Sequence, residues 1–185
     1  AVDSALSQTY RPIEVLIIDD GSSDGTRELV ETRYRDQTEI RYIYKENQGL
    51  SAARNTGIQE ALGNYLLFLD ADDRLRSDYV AKALEAYARL PSDTGVVAVQ
   101  MEWIDIKGDL IPNRLHFPAR ETEITSVDLL VMSRFSPAVM ARSEVFKSCG
   151  NFDVLLKASE DRDMWIRISR RYRIFRLAEK LLEVR

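Results

Sequence analysis

A chain of 185 residues that is 45% hydrophobic can bury one sizeable core and falls short of two. Its 26 basic and 30 acidic residues leave a formal charge of -4, which gives no electrostatic footprint for wrapping nucleic acid. The single cysteine, Cys149, excludes an internal disulfide and a thiolate metal cluster, and is expected to act as a small buried hydrophobe. No apolar run approaches the length of a membrane span and no leader-like segment opens the chain, so a soluble, cytoplasmic protein is expected.

Ile13 to Ile18 form an almost continuous apolar run of strand length, the pattern of a strand covered on both faces. It ends in acid and glycine, and Asp24 is placed to cap a helix that begins near Thr26, with Glu28 in its first turn. Ile40 to Tyr44 give a second strand. Leu50, Ile58, Ala61 and Leu62 mark a helix that Gly63 is expected to close. Tyr65 to Leu69 make a third strand, Asp78 to Leu90 a helix with Val80, Leu84 and Tyr87 on one face, and Val96 to Trp103 a fourth strand. From Lys107 the pattern gives way to a long loop containing Pro112 and Pro118. Helices are then expected near residues 126–132, 143–148 and 161–171. Strands alternating with helices predict an α/β fold with a mixed, mostly parallel sheet flanked by helices, whose ligands sit beyond the carboxyl ends of the strands. One domain is expected, with 1–104 as the ligand-binding part and 105–185 as a second part facing it.

Asp70, Asp72 and Asp73, interrupted by Ala71, place three carboxylates in four positions at a strand end. A divalent cation such as Mn2+ or Mg2+ would relieve their repulsion, since these ions need few protein oxygens and leave room for phosphates. A solvated turn with a helix cap accounts for the same residues. Asp19, Asp20, Gly21 and Ser22 follow the first strand, and glycines there permit a loop that wraps a nucleotide or an ordinary Asx turn. Asn47 and Gly49 lie in a loop ahead of Arg54 and Asn55, a polar density that suits a pocket lining, although Arg54 would equally pair with a nearby carboxylate. Glu160 and Asp161 open a helix, where acids suit the macrodipole and where one of them could act as a general base.

In this order, Asp19-Asp20-Gly21-Ser22, Arg54-Asn55 with Gly57, Asp70-Ala71-Asp72-Asp73, Gly150-Asn151-Phe152-Asp153 and Glu160-Asp161 resemble the family-2 glycosyltransferases of the GT-A fold. The resemblance covers nearly the whole chain. It implies an inverting transfer of a sugar from a nucleotide-diphosphate donor, UDP favoured, to a carbohydrate or lipid-linked acceptor in cell-surface polysaccharide or glycolipid synthesis. It further implies that Asp20 contacts the base, Asp19 supports the same loop, Asp70 holds the ribose side, Asp72 ligates Mn2+ or Mg2+, and Asp161 is the base with Glu160 beside it. Family members begin with a buried strand that also touches the nucleotide. Here Ala1 opens in what looks like the helix after it, so that strand is expected to be absent.

Three other classes fit part of the pattern. A phosphatase of the haloacid dehalogenase type uses an Asp-x-Asp pair with magnesium, but leaves Asp19 to Ser22 idle. A receiver-like binding module needs neither Glu160 nor Asp161, and a sugar-nucleotide pyrophosphorylase needs a glycine-rich basic loop that the chain lacks. Arg162, Arg167, Arg170, Arg171, Arg173 and Arg176 crowd the last quarter, as a solvated face or as a patch for an anionic acceptor or the inner membrane surface. His116, the sole histidine, is read as a loop residue.

Overall fold

A computed structural model describes residues 1–112, 120–131 and 135–185, so His116 lies outside the described residues. α1 (Val2–Leu6) precedes β1 (Val15–Asp20), α2 (Thr26–Arg33), β2 (Ile40–Lys45), α3 (Leu50–Glu60) and β3 (Tyr65–Leu67). Next come β4 (Arg74–Leu75), α4 (Tyr79–Arg89), β5 (Thr94–Ile104), β6 (Leu110–Ile111), β7 (Thr122–Ile124) and α5 (Ser126–Val131). β8 (Val139–Arg142), α6 (Ser143–Cys149), α7 (Glu160–Ser169) and β9 (Arg173–Val184) complete the order.

β1 and β2 form a parallel pair in the register Val15 to Ile40 through Asp20 to Lys45. The larger sheet runs β3-β8-β5-β9-β4, with β6 beside β5 and β7 beside β9. β5 and β9 are parallel, whereas β3–β8, β5–β8, β5–β6, β7–β9 and β4–β9 are antiparallel. The mixed α/β class is as expected. Its balance leans away from parallel pairing, because a helical crossover restores strand direction in β1–α2–β2 while β8 and the short strands enter reversed. Among the described residues β1 is paired along one edge and β3 along one edge, in separate sheets. For the same reason Leu16, Ile17 and Ile18 are only half-buried, not covered on both faces as their composition suggests.

The core lies on both sides of the larger sheet. Along β5 the period of two sends Val96 and Ala98 toward Val145, Phe146, Met164, Trp165 and Ile168 of α6 and α7. Val97 and Val99 face the other way, toward Tyr79, Ala83, Ala86 and Tyr87, the helical stripe of α4. β9 was hidden in the sequence by its charges. Arg176, inside that strand, is 4% exposed, because β9 is covered on both faces between its neighbours. The arginine crowd is therefore dispersed: Arg167 pairs with Asp163 on α7, Arg173 with Glu123 across from β7, and Arg176 is interior.

Smaller expectations shift by a residue or two at strand ends. Gly63 does not close α3 in a left-handed turn; the helix ends at Ala61 in extended backbone. The amides of Leu62 and Gly63 donate instead to Glu14 Oε1 at 2.6 and 2.9 Å. Among the described residues no helix is long and apolar enough to cross a membrane.

Gly95 sits where β5 passes beneath Tyr172 and α6. A Cβ there would lie 2.6 Å from Tyr172 Cβ and 2.9 Å from Val145 Cγ1, too close without displacement of packed atoms. Gly95→Ala is expected to cost about 1–3 kcal/mol through overpacking. Urea unfolding checks this, and a loss under about 0.5 kcal/mol would mean that the strand slides freely at this point.

Candidate active site

Asp19, at the end of β1, is 5% exposed and serves its own loop. Its Oδ1 accepts the Ser22 amide at 2.7 Å, and its Oδ2 accepts the Tyr42 hydroxyl from β2. Burial and this bond push the Tyr42 phenol up to about 12. Desolvation alone would raise the Asp19 carboxyl, but the donors around it hold it below its ordinary value. Asp20 anchors the second loop. It accepts Lys45 Nζ, the Gln48 amide at 3.1 Å and the Gly49 amide at 2.7 Å, and these donors likewise outweigh desolvation and lower its pKa.

Gly21 and Asn47 bring the two loops into contact. At φ 85° Gly21 occupies left-handed backbone, and a Cβ would stand 2.9 Å from the Asn47 amide nitrogen, so no larger residue fits there. Gly49, at φ 89°, immediately precedes α3. Asp19, Asp20, Gly21, Ser22, Asn47 and Gly49 thus form one edge. Its carboxylates are preset by backbone amides, and Ser22 lies exposed at its rim.

Five residues farther along α3, about 7.5 Å of helix rise, Arg54 forms the second half of the constellation. Its side chain is 11% exposed; Nη1 donates to Glu160 Oε1 at 2.8 Å and Nη2 to Asp70 Oδ1 at 3.3 Å. The guanidinium also lies 5.4 Å above the Phe152 ring centroid. Next to it, Asn55 clamps Phe152 from both sides, donating to its carbonyl at 2.9 Å and accepting its amide at 2.8 Å. Arg54 and Asn55 therefore fasten the Gly150–Asp153 segment and the start of α7 to the end of β3.

The carboxylates after β3 have three separate environments. The segment is a turn, closed by the Asp73 amide donating to the Asp70 carbonyl at 3.2 Å, and not the extended stretch in which Asp70 and Asp72 would share a side. Asp70 faces Arg54, while Asp72 and Ala71 are exposed. Asp73 is 2% exposed, accepts the Arg185 amide at 3.1 Å, and is pushed up to about 6, first by burial. Among the described residues no cluster of three protein ligands could by itself enclose a metal ion. An exposed Asp72 with Asp70 nearby fits the open arrangement in which Mg2+ or Mn2+ takes one or two carboxylates and completes its shell with phosphate and water.

Glu160 and Asp161 lie in the first turn of α7, where the macrodipole favours negative charge. Ser159 before them has φ 59° and ψ 24°, left-handed backbone that costs energy for a residue with a Cβ. The Glu160 side chain is 13% exposed and spoken for by Arg54. Asp161 is half-buried, accepts the Arg162 amide at 2.7 Å, and lines a cavity of about 370 Å3. Trp103, Phe135 and Arg162 line the same space. Phe152 lies in the Gly150–Asp153 motif, whereas Tyr42, Trp103 and Phe135 were not singled out from sequence. Only the Asp20–Lys45 contact had a legible signal, the parallel register that sets these two residues opposite one another.

The profile of the family described as "Glycosyl transferase family 2" matches residues 1–150. An uncharacterized glycosyltransferase of Rickettsia prowazekii is 31% identical over 189 residues, spanning 100% of this chain and 58% of that protein. Chondroitin synthase of Escherichia coli is 31% identical across 91% of this chain, which corresponds to 24% of the synthase. The chain thus spans well under two thirds of these relatives. The structure of S. aureus TarS 1-349 in complex with UDP superimposes with a TM-score of 0.82 at 23% identity, covering 99% of this chain and 54% of that one. A mannosyltransferase of Pyrobaculum calidifontis in complex with GDP-Man and Mn2+ gives 0.69 at 18% identity, covering 94% and 48%. These likenesses establish the GT-A fold. With the profile covering most of its length, the chain belongs to glycosyl transferase family 2.

Proposed function

We propose that this chain is the catalytic core of an inverting glycosyltransferase that moves a sugar from a nucleoside-diphosphate donor to an acceptor hydroxyl. UDP is the favoured nucleotide, and cell-surface polysaccharide or glycolipid synthesis the setting. The observation that carries the proposal is the Arg54 bridge between Asp70 and Glu160, which sets the donor-side turn beside the helix that presents Asp161. Membership of the family favours this over the phosphatase and receiver-like classes, and UDP in the TarS complex supports the choice of base.

On this reading the edge formed by Asp20, Gly21, Ser22, Asn47 and Gly49 receives the base and ribose. Asp20 already accepts three donors, which leaves about one of its four acceptor positions for a base imide, with its orientation fixed beforehand. Asp70 lies toward the ribose, and Asp72 with the adjacent Ala71 faces the diphosphate. Asp72 would hold Mn2+ or Mg2+, which when bound stabilises the charge of the departing diphosphate. Asp161 removes the acceptor proton as the acceptor oxygen bonds to the anomeric carbon. The bond from that carbon to the phosphate oxygen breaks with its electron pair going to the nucleotide, so one displacement inverts the centre. Glu160 orients the helix start through Arg54 and leaves the neighbouring carboxylate available.

Asp161→Asn keeps the shape and removes the base. The rate of UDP release from a UDP-sugar should fall about 10^2 to 10^4-fold with UDP affinity nearly unchanged, and a rate within tenfold of the wild type would reject this role. Arg54→Ala strands two carboxylates. Urea unfolding should register a loss of about 3 kcal/mol, the lower end for a buried pair because Asp70 is 39% exposed. Arg54→Lys should recover only part of this, since one ammonium cannot fork to both partners. Full recovery by lysine would contradict the bridge.

A further inference from the structure

Tyr42 and Tyr44 stand on one face of β2, because alternate side chains of a strand share a side. The parallel register sets Tyr42 opposite Ile17, two residues before Asp19. That offset is about 6.6 Å along the strand, a length that a phenol covers and a serine or threonine does not. The Tyr42 hydroxyl accordingly donates to Asp19 Oδ2, while Oδ1 accepts the Ser22 amide at 2.7 Å. Asp19 is thus held by the neighbouring strand through one oxygen and by its own loop through the other.

The far end of the loop meets the same two rings. Asp24 Oδ1 accepts the Thr26 amide at 3.2 Å and the Thr26 hydroxyl at 2.6 Å, closing the loop onto α2. In the first turn of α2, the Arg27 guanidinium lies 5.8 Å from the Tyr42 ring centroid and 5.6 Å from that of Tyr44, with Glu31 at 3.4 Å. Both ends of the segment from Asp19 to Arg27 are therefore tied to β2, but the ties differ in weight. The Arg27 side chain is 60% exposed and Tyr44 50%, so water competes for the cation and weakens that contact. Asp19 is 5% exposed, and losing the hydroxyl would leave one oxygen of a nearly enclosed carboxylate without its donor. The hydroxyl is the stronger tie.

We propose that Tyr42 is a positioning residue for the nucleotide: its hydroxyl fixes Asp19, and Asp19 fixes the turn that carries Asp20, Gly21 and Ser22. Without that donor the Asp19 carboxylate swings toward the amides of its own loop, and the peptide between Asp19 and Asp20 turns with it. Asp20 then loses its aim at the nucleotide base. Asp161 is undisturbed, because Arg54 and Asn55 hold its surroundings independently of β2. The proposal rests on the assignment of the Asp20 edge to the nucleotide and adds the residue behind that edge which sets its shape.

Tyr42→Phe removes one oxygen and keeps the ring beside Arg27. Calorimetry with Mn2+ present should show its UDP dissociation constant raised about tenfold, the scale of one hydrogen bond to a charged group. In turnover of a UDP-sugar, KM should rise by a similar factor and kcat stay within about threefold, a split that general loosening of the fold would not give. Asp19→Asn weakens the same bond from its other side. The double variant should bind UDP no worse than the weaker single variant, since both changes delete one interaction. Urea unfolding checks that each variant is folded under the conditions of titration. Unchanged UDP affinity in Tyr42→Phe, a fall in kcat as large as the rise in KM, or single losses that multiply to about a hundredfold in the double variant overturns the proposal while leaving the nucleotide edge in place. Wild-type protein that binds no UDP removes the edge itself, and the role of Tyr42 with it.

Discussion

One guanidinium holds the candidate site together. Arg54 is nearly enclosed, and both of its carboxylate partners come from elements distant in sequence, the turn after β3 and the first turn of α7. A buried charge is costly unless paired, so removing either partner, or moving α7 relative to β3, leaves a desolvated ion. The pair is better understood as a geometric constraint than as a source of stability. It forces Asp161 to stand beside the turn after β3, and the Asn55 clamp on Phe152 holds the intervening segment in the same position.

The edge carrying Asp19 and Asp20 is built by a different set of bonds. Asp19 and Asp20 are adjacent and chemically identical, yet one faces inward to Ser22 and Tyr42 while the other faces the Lys45–Gly49 loop. Period-two alternation at the end of β1 separates them, and against desolvation the Tyr42 hydroxyl and Ser22 amide lower the pKa of Asp19, while Lys45 and the Gln48 and Gly49 amides lower that of Asp20. The edge is thus arranged before any ligand arrives. Ordering that would otherwise accompany binding is already complete in the folded chain. The glycines that permit it, Gly21 and Gly49, are where the backbone takes positive φ.

Much of this was legible in the sequence, for reasons that differ from residue to residue. The βα units from Val15 to Glu60 announced themselves through apolar runs ending in acid and glycine, signals local to each element. The acidic clusters were visible as composition, but their separate fates were not. The chain does turn between Asp70 and Asp73, one of the two readings open to the segment, but nothing in an Asp-Asp pair announces that the turn leaves Asp72 exposed and Asp73 interior. β9 escaped notice since arginine and glutamate interrupt its alternation, and only its central place in the sheet makes those positions tolerable. Arg54 was open to two interpretations, ligand contact or ion pair. The structure provides the ion pair, with partners 16 and 106 residues away that no local pattern could reveal.

The central claim is that the edge carrying Asp20 and the turn carrying Asp72 together bind a nucleoside diphosphate through a divalent ion. Calorimetric titration of UDP, with Mn2+ and again with a chelator, on the wild type and Asp72→Ala, tests it most directly. Binding that requires Mn2+ and disappears in Asp72→Ala is the predicted result. Folded protein that gives no heat with UDP, or that binds it equally well in chelator and in the variant, would contradict the account.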